Sequence, residues 1–354
     1  MAASVFDLRE PRTFLVTGAS GFIGGRMVHE LVRRGHAVRA LCRQSRLVSP
    51  AGIVADERSD APGGRLDLVH GDLSDRDSLA RAAEGCDAVF HVAGYAKNWA
   101  PRRDHYFEIN VRGLVHVLET ARRQGVGRVV WTSTMMTLGP TRPGDVADED
   151  ESRVPSRPFT AYEESKIEAE REAKRHAGDG LDVVTVNPTR VYGPGHLTEG
   201  NSVTLLIDQY DRGRAPILLN RGRNVANYVL VDDVVEGHLL AMERGKSGER
   251  YLLGGENISL ADLLALIDRI SGKRHIRLPI SASVAMAFAA CHQVRAEWFG
   301  VHPQVTPPWV RVFLADWAYR SDKAARELGY APRPLEEGLR MTYRWLEHVR
   351  RERH

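Results

Sequence analysis

The sequence predicts an α/β protein: a doubly wound parallel sheet followed by a smaller C-terminal lobe. Three observations carry this. A glycine-rich turn, TGASGFIG, joins an apolar run to an amphipathic one near the N-terminus. From there to about residue 192, apolar runs alternate with helical patterns. Those runs are continuous rather than period-two, as strands covered on both faces require. Beyond residue 192 the alternation breaks into short elements separated by glycine and proline.

Taken in order, TFLVTG reads as a short buried strand, and residues 25–34 as a helix that stops at Gly35. HAVRALCR is the second strand. Residues 47–65 hold Pro, Gly, Ser and Asp and read as a surface loop. LDLVHGDL is the third strand, DRDSLARAAEG a helix and DAVFHVAG the fourth strand. A long helix is expected over about 104–124, then the strand RVVWTST. After a loop over 139–159 come a helix over about 160–177 and the strand LDVVTVNP. Later helices are expected near 201–212, 232–243, 259–271 and 281–298. A dinucleotide-binding domain over 11–192 would thus regain strands from about 225–255, and 193–350 would form mainly a substrate-binding lobe.

Composition narrows the class. Hydrophobic residues make up 43% and charged residues 27%, as in ordinary globular proteins. Basic and acidic side chains number 49 and 46, a balance that argues against a nucleic-acid partner. Cys42, Cys86 and Cys291 are too few and too scattered for a disulfide framework, which suggests a reducing, cytoplasmic setting. The apolar stretch at 281–294 is too short to span a bilayer and runs into Arg295 and Glu297, so no membrane association is expected.

The turn TGASGFIG supplies Gly18, Gly21 and Gly24 between a strand and a helix, the context that dinucleotide binding requires. One glycine allows the tight turn and another lets the backbone approach a pyrophosphate. The helix N-terminus offers free N–H groups to the phosphates. Ser20, Phe22 and Ile23 fill the same turn and are candidate coenzyme contacts. The fold is therefore read as Rossmann-type. At the end of the second strand, NAD sites want a carboxylate for the ribose hydroxyls. Arg43 stands there instead, with no Asp or Glu beside it. Its guanidinium suits a 2′-phosphate, so NADP(H) is preferred and NAD(H) is the alternative.

The G-x-x-G-x-x-G spacing, with AYEESK at 161–166 downstream, resembles the short-chain dehydrogenase/reductase superfamily. The chain length resembles its extended, NAD-dependent epimerase/dehydratase branch, and the likeness runs from Thr13 to about Trp345. HVAGYAKNWAP, GERYLLGGENISL and PRPLEEGLRMTYRWL resemble the dihydroflavonol-reductase-like group. The resemblance implies that Asp72, followed by Leu73, meets the adenine. Val92, Ala93 and Gly94 would pass close to the second ribose. Pro188 and Val191, in NPTRVYGPG, would border the nicotinamide. Asn110 is either a buried amide bonded to backbone or a member of a proton relay.

Tyr162 and Lys166 fall one helical turn apart on one face. A phenol titrates near about 10 and is a weak acid–base group at neutral pH. A nearby ammonium stabilises the phenolate, and the oxidised nicotinamide acts in the same direction. Tyr162 could then exchange a proton with a carbonyl or alcohol oxygen as hydride moves at the adjacent carbon. By the resemblance, a hydroxyl of Thr132-Ser133-Thr134 holds that oxygen. Alignment on Gly139 selects Thr134, with Ser133 as the alternate. The 14 histidines show no metal-ligand spacing, so no metal is expected.

Where sugar-nucleotide relatives carry an arginine for the diphosphate, this chain has Ala226, with Arg221 and Arg223 only nearby. Phe288, Trp298, Phe299, Trp309, Phe313 and Trp317 are candidates to line an apolar pocket. The reading is an NADP(H)-dependent carbonyl reductase or alcohol dehydrogenase for a fairly apolar ketone or secondary alcohol. The alternatives are a redox-neutral epimerase or dehydratase with tightly bound NAD(H), and a non-catalytic nucleotide sensor. The resemblance also implies a homodimer through the helices at 104–124 and 160–177, on whose faces lie His116, Val117, Glu119 and Ala173.

Overall fold

The computed structural model describes residues 6–44, 47–48, 54–55, 58–61, 64–150, 157–214 and 217–352. The first half alternates β1 (Thr13–Thr17), α1 (Phe22–Arg33), β2 (Ala37–Cys42), β3 (Leu47–Val48), β4 (Val54–Ala55), β5 (Arg58–Ala61), β6 (Gly64–His70), α2 (Arg76–Ala83), β7 (Ala88–His91), α3 (Asp104–Phe107), α4 (Gly113–Arg123) and β8 (Arg128–Thr132). Then come α5 (Ala161–Gly178), β9 (Val183–Pro188), β10 (Arg190–Tyr192), α6 (Ser202–Asp211), β11 (Ile217–Leu219), β12 (Val225–Leu230), α7 (Val231–Arg244) and β13 (Arg250–Leu253). The chain ends with β14 (Glu256–Ser259), α8 (Leu260–Ser271), β15 (Leu278–Ile280), α9 (Ala282–Phe299), α10 (Pro307–Leu314), α11 (Asp322–Leu328) and α12 (Leu335–Arg351).

The continuous apolar runs form the expected sheet. Its order is β13-β9-β8-β7-β1-β2-β6-β5, parallel throughout except for the antiparallel edge strand β5. Successive strands run outward from β1 first through β2 and β6, then on the other side through β7, β8 and β9. The loops after β1 and β7 therefore diverge at the point where open α/β sheets take ligands. One layer of side chains packs under α1 and α7, and the opposite layer under α2, α4 and α5.

Several expectations change. α1 begins at Phe22, not at 25, because Gly21 is the N-cap and Gly24 belongs to the first turn. A Cβ at Gly24 would sit 2.1 Å from the Gly18 carbonyl, so the helix can lie this close only as glycine. Part of the loop expected over 47–65 pairs instead: β3 with β4, and β5 with β6. Edge pairing runs through backbone groups and leaves little side-chain signature. The rest of that stretch, 49–53, 56–57 and 62–63, lies outside the described residues. Of the strands expected from 225–255, β13 joins the main sheet. β12 joins β10 and β14 in a small separate sheet. The expected helix at 104–124 contains a π-turn over Glu108–Arg112, between α3 and α4.

The lobe packs α6, α8, α10 and α12 around a core that includes Tyr192, Ile207, Leu264 and Trp317. α9 is apolar from Ala282 to Cys291, apart from Ser283, and carries Arg295 and Glu297 in its last turns. Ala285 and Ala289 face Val310 of α10, while Phe288, Val294, Trp298 and Phe299 are exposed. Val117 and Ala173, placed above on helix faces suited to a dimer, are buried within the single chain.

Candidate active site

The coenzyme end begins at β1. Gly18 has φ +74°, and a Cβ there would meet the Ala93 nitrogen at 2.7 Å. The Ala93 N–H donates to Thr17 Oγ1 at 3.2 Å, tying the end of β7 to the end of β1. Gly21 caps α1 without a side-chain bond, and the first turn carries no acid. Neither a capping side chain nor a first-turn acid thus competes for the N–H groups and positive dipole end, which suits phosphate binding. Ser20 is exposed, Phe22 is buried, and Ile23 lines the neighbouring cleft together with Val92 and Gly94.

Arg43 is exposed at the end of β2. Burial opposes ionisation of Asp72, but the N–H and hydroxyl of Ser74 and the charge of Arg43 outweigh it and hold the carboxyl below its usual range. Asp72 Oδ1 accepts both Ser74 bonds, at 2.9 and 2.7 Å. Leu73 rests its side chain on Gly113. These features fit the phosphates and adenosine half of a nicotinamide dinucleotide.

The catalytic end is set by the start of α5. Thr160 Oγ1 accepts from the Glu163 N–H at 3.1 Å, and Glu163 reaches back to the Phe159 N–H at 3.2 Å. This T-x-x-E arrangement is a capping box, displaced by one residue at its return bond. It fixes the first turn, where Tyr162 sits. Burial pushes the Tyr162 phenol up to about 12, and a hydrogen bond with Thr134 is the opposing influence. Lys166 is also buried, and burial pulls its ammonium down to about 8 against the attraction of Glu170. Its Nζ donates to the Thr132 carbonyl at 2.8 Å and lies 4.8 Å from the Trp131 ring centroid. In the protein alone, burial outweighs the expected lowering of the phenol by the lysine.

The two candidate hydroxyls diverge. Thr134 opposes the rise that burial imposes on the Tyr162 phenol, and its Oγ1 accepts from the Met136 N–H at 3.3 Å, whereas Ser133 Oγ turns away and donates to Glu170 Oε1 at 2.6 Å. Asn110 is buried as an amide clamp. Its Oδ1 accepts from the Tyr95 N–H at 2.7 Å, and its Nδ2 donates to Ser165 Oγ at 2.9 Å.

Sequence reasoning missed the support beneath these groups. Glu170 also accepts from Thr137 Oγ1 and Asn187 Nδ2, both at 2.7 Å. Its position one turn after Lys166 was the available signal. His238 Nε2 lies 2.8 Å from Thr132 Oγ1, and His91 Nδ1 lies 2.7 Å from Thr17 Oγ1. Burial, helped for His91 by the charge of Lys166, drives both imidazoles far below their usual range, so both are neutral. Among the described residues, no group of three or more His, Cys, Asp or Glu stands together as a metal site.

Tyr162 and Thr134 open onto a cleft of about 280 Å³. Met135, Met136, Val203, Trp309, Val312 and Phe313 make its apolar wall, and Pro188 and Val191 border it. Of the expected pocket aromatics, Trp309 and Phe313 line it, Trp317 is core, and Phe288, Trp298 and Phe299 are exposed on α9. Arg221 and Arg223 are exposed and do not line it; Ala226 is buried. Arg190, unremarked above, does line it. A larger charged groove of about 600 Å³ runs between α1 and α7 but excludes Tyr162. Arg26, Arg34 and Arg333 there are paired with Asp232, Glu236 and Asp233. No helix among the described residues is long and apolar enough to cross a membrane.

Comparison with known proteins agrees with this geometry. Residues 14–254 match the NAD dependent epimerase/dehydratase family. A Synechocystis protein provisionally named dihydroflavonol 4-reductase is 32% identical over 94% of both chains. A Stigmatella aurantiaca ketoreductase acting on 4-hydroxy-2-methyl-3-oxo-4-farnesyl-3,4-dihydroquinoline-1-oxide is 34% identical over 93% of this chain and 94% of its own. Among solved structures, DesIV of Streptomyces venezuelae, a dTDP-glucose 4,6-dehydratase with NAD bound, superposes with TM-score 0.73 at 26% identity. It covers 96% of this chain and 98% of its own. The chain belongs to the NAD dependent epimerase/dehydratase family of extended short-chain dehydrogenases/reductases and is an NAD(P)-dependent oxidoreductase.

Proposed function

We propose that the protein is an NADP(H)-dependent carbonyl reductase or alcohol dehydrogenase for a fairly apolar ketone or secondary alcohol, with Tyr162 as general acid and base. One observation carries the reading: Tyr162 and Thr134 stand together at an apolar cleft walled partly by the lobe. The nicotinamide coenzyme supplies or accepts the hydride. Gly18, Gly21 and Gly24 would hold its pyrophosphate and Arg43 its 2′-phosphate. Thr134 orients the substrate oxygen, and Tyr162 donates the proton to it. A phenol raised to about 12 stays protonated at neutral pH and is ready to act as the acid in ketone reduction. In the oxidative direction the phenolate must be stabilised, and Lys166 is the charge on hand.

The names of relatives support a lipophilic ketone. Besides the Stigmatella enzyme, a Stenotrophomonas maltophilia relative is a 2-alkyl-3-oxoalkanoate reductase, 29% identical over 92% of this chain and 97% of its own. The redox-neutral sugar alternative has less support, since Ala226 offers a diphosphate no charge. We also infer a homodimer, on the resemblance alone, and a cytoplasmic location, from the scattered cysteines. Sedimentation of the purified protein tests the former.

The deciding experiment follows NADPH and NADH with a panel of lipophilic ketones. Turnover with NADPH, lost by about a thousandfold or more in Tyr162→Phe, is expected. Undiminished turnover in that variant would reject Tyr162 as the acid.

A further inference from the structure

Arg190 stands in β10, two residues past Pro188, and lines the cleft that Tyr162 and Thr134 open onto. It is half-buried, with its guanidinium carbon 5.9 Å from the Phe313 ring centroid. Among the described residues, no carboxylate lies within ion-pair reach of it and no acceptor takes its N–H groups. Arginines elsewhere in the fold are commonly paired, as Arg26 is with Asp232 and Arg333 with Asp233. Its charge is felt inside the lobe, where it opposes the rise that burial imposes on Tyr228. A guanidinium has five donors in a fixed fork and costs free energy to bury unless an anion meets it. A carboxylate meets that fork with two parallel hydrogen bonds.

We propose that Arg190 is the anion anchor of the cleft, and that the substrate is a lipophilic oxo- or hydroxy-acid. Its carboxylate pairs with Arg190, its carbonyl or carbinol meets Tyr162, and its hydrocarbon lies against Trp309, Val312 and Phe313. This rests on the reductase reading and gives it a substrate class. The reaction balances as hydride to the carbonyl carbon from NADPH and a proton from Tyr162 to the oxygen. The ketone becomes a secondary alcohol, NADPH becomes NADP+, and the phenolate regains its proton from water.

Two features favour one carboxylate over a nucleoside diphosphate. The cleft, at about 280 Å³, lies just below the usual range of about 300–1,000 Å³ for ligand sites. Glu199 shares it and engages the Asn98 N–H at 3.3 Å and His302 at 3.6 Å, so the cleft already holds one carboxylate and each further negative group on a ligand adds repulsion.

The test uses 3- and 5-hydroxydodecanoate and their methyl esters as substrates with NADP+. Thermal protection of the NADP+-loaded protein by dodecanoate and by UDP-glucose is measured alongside. The wild type should prefer an acid over its ester by about 10- to 100-fold in kcat/KM, mainly through KM. Arg190→Met should bring that ratio close to one, and Arg190→Lys should retain part of it. The ratio is taken on one preparation, so partial misfolding does not distort it. Equal use of acid and ester by the wild type, or a ratio unchanged in Arg190→Met, overturns the anchor and leaves the reductase reading standing. Arg190-dependent protection by dodecanoate without turnover keeps the anchor and rejects the reductase. Neither turnover nor protection overturns both, and Arg190-dependent protection by UDP-glucose alone assigns the guanidinium to a diphosphate.

Discussion

Lys166 carries a cation into a site that burial makes hostile to charge. Its ammonium titrates at about 8, whereas an unfolded lysine titrates near about 10.4. Between those values the unfolded chain holds a proton that the folded chain has released. Stability from this group therefore rises with pH through that window, by about 3 kcal/mol in full, and the gain is absent below pH 8. Urea unfolding of wild type and Lys166→Met at pH 7.5 and pH 10 checks this. The wild type should gain relative to the variant at the higher pH, and parallel behaviour would mean that the ammonium is better solvated than its burial indicates. Glu170 is the counterweight. Removing it in Glu170→Ala leaves Ser133, Thr137 and Asn187 without their shared acceptor. A loss of about 3 kcal/mol is expected from urea midpoints, with a smaller loss for Glu170→Gln, which keeps an oxygen in place. Without the carboxylate's attraction, Lys166 should also lose its proton at lower pH.

At the scale of elements, the cap of α5 links local sequence to chemistry. Thr160→Ala should cost about 1 kcal/mol of stability in urea unfolding. It should also lower kcat, because Tyr162 lies in the turn that this cap fixes; an unchanged kcat would show that packing alone holds the phenol. The elements most legible in sequence were those with a continuous apolar run or a strong cap: β1, β7, β8, β9 and α5. The π-turn around Asn110 was hidden because one added residue per turn disturbs no periodicity over so short a span. β5 was hidden because an edge strand is held by backbone pairing. α12 was legible yet overlooked, since Leu335, Leu339, Thr342, Tyr343 and Leu346 recur on one buried face. Tyr162, Lys166 and Thr134 could be found from local motifs. Arg190 could not, since its neighbour Phe313 comes from a distant part of the chain and only the fold brings them together.

At the scale of the whole molecule, the site lies at a seam. Tyr162, Met135 and Met136 project from the sheet domain yet pack into the same core as Tyr192 and Leu264 of the lobe. A coenzyme held at the ends of β1, β2 and β7 should stabilise the sheet side of this seam. At a concentration of about 100 times its dissociation constant, it should add about 2.7 kcal/mol. NADP+ should raise the melting temperature more than NAD+ at equal concentration, and Arg43→Ala should remove the difference; an equal response in the wild type would reject Arg43 as the phosphate ligand. The strand order also has a consequence for the protein's synthesis. β9 ends at Pro188, but its outer neighbour β13 begins only at Arg250, after α6, β12 and α7 have been made. At translation speeds of about 5–20 residues per second, β9 waits roughly 3–12 seconds with an open edge. A nascent chain in that interval already carries the glycine turn, Tyr162 and Lys166 but has an unpaired hydrophobic strand at its border. It is the moment when the chain is most exposed to pairing with a neighbour on the same message.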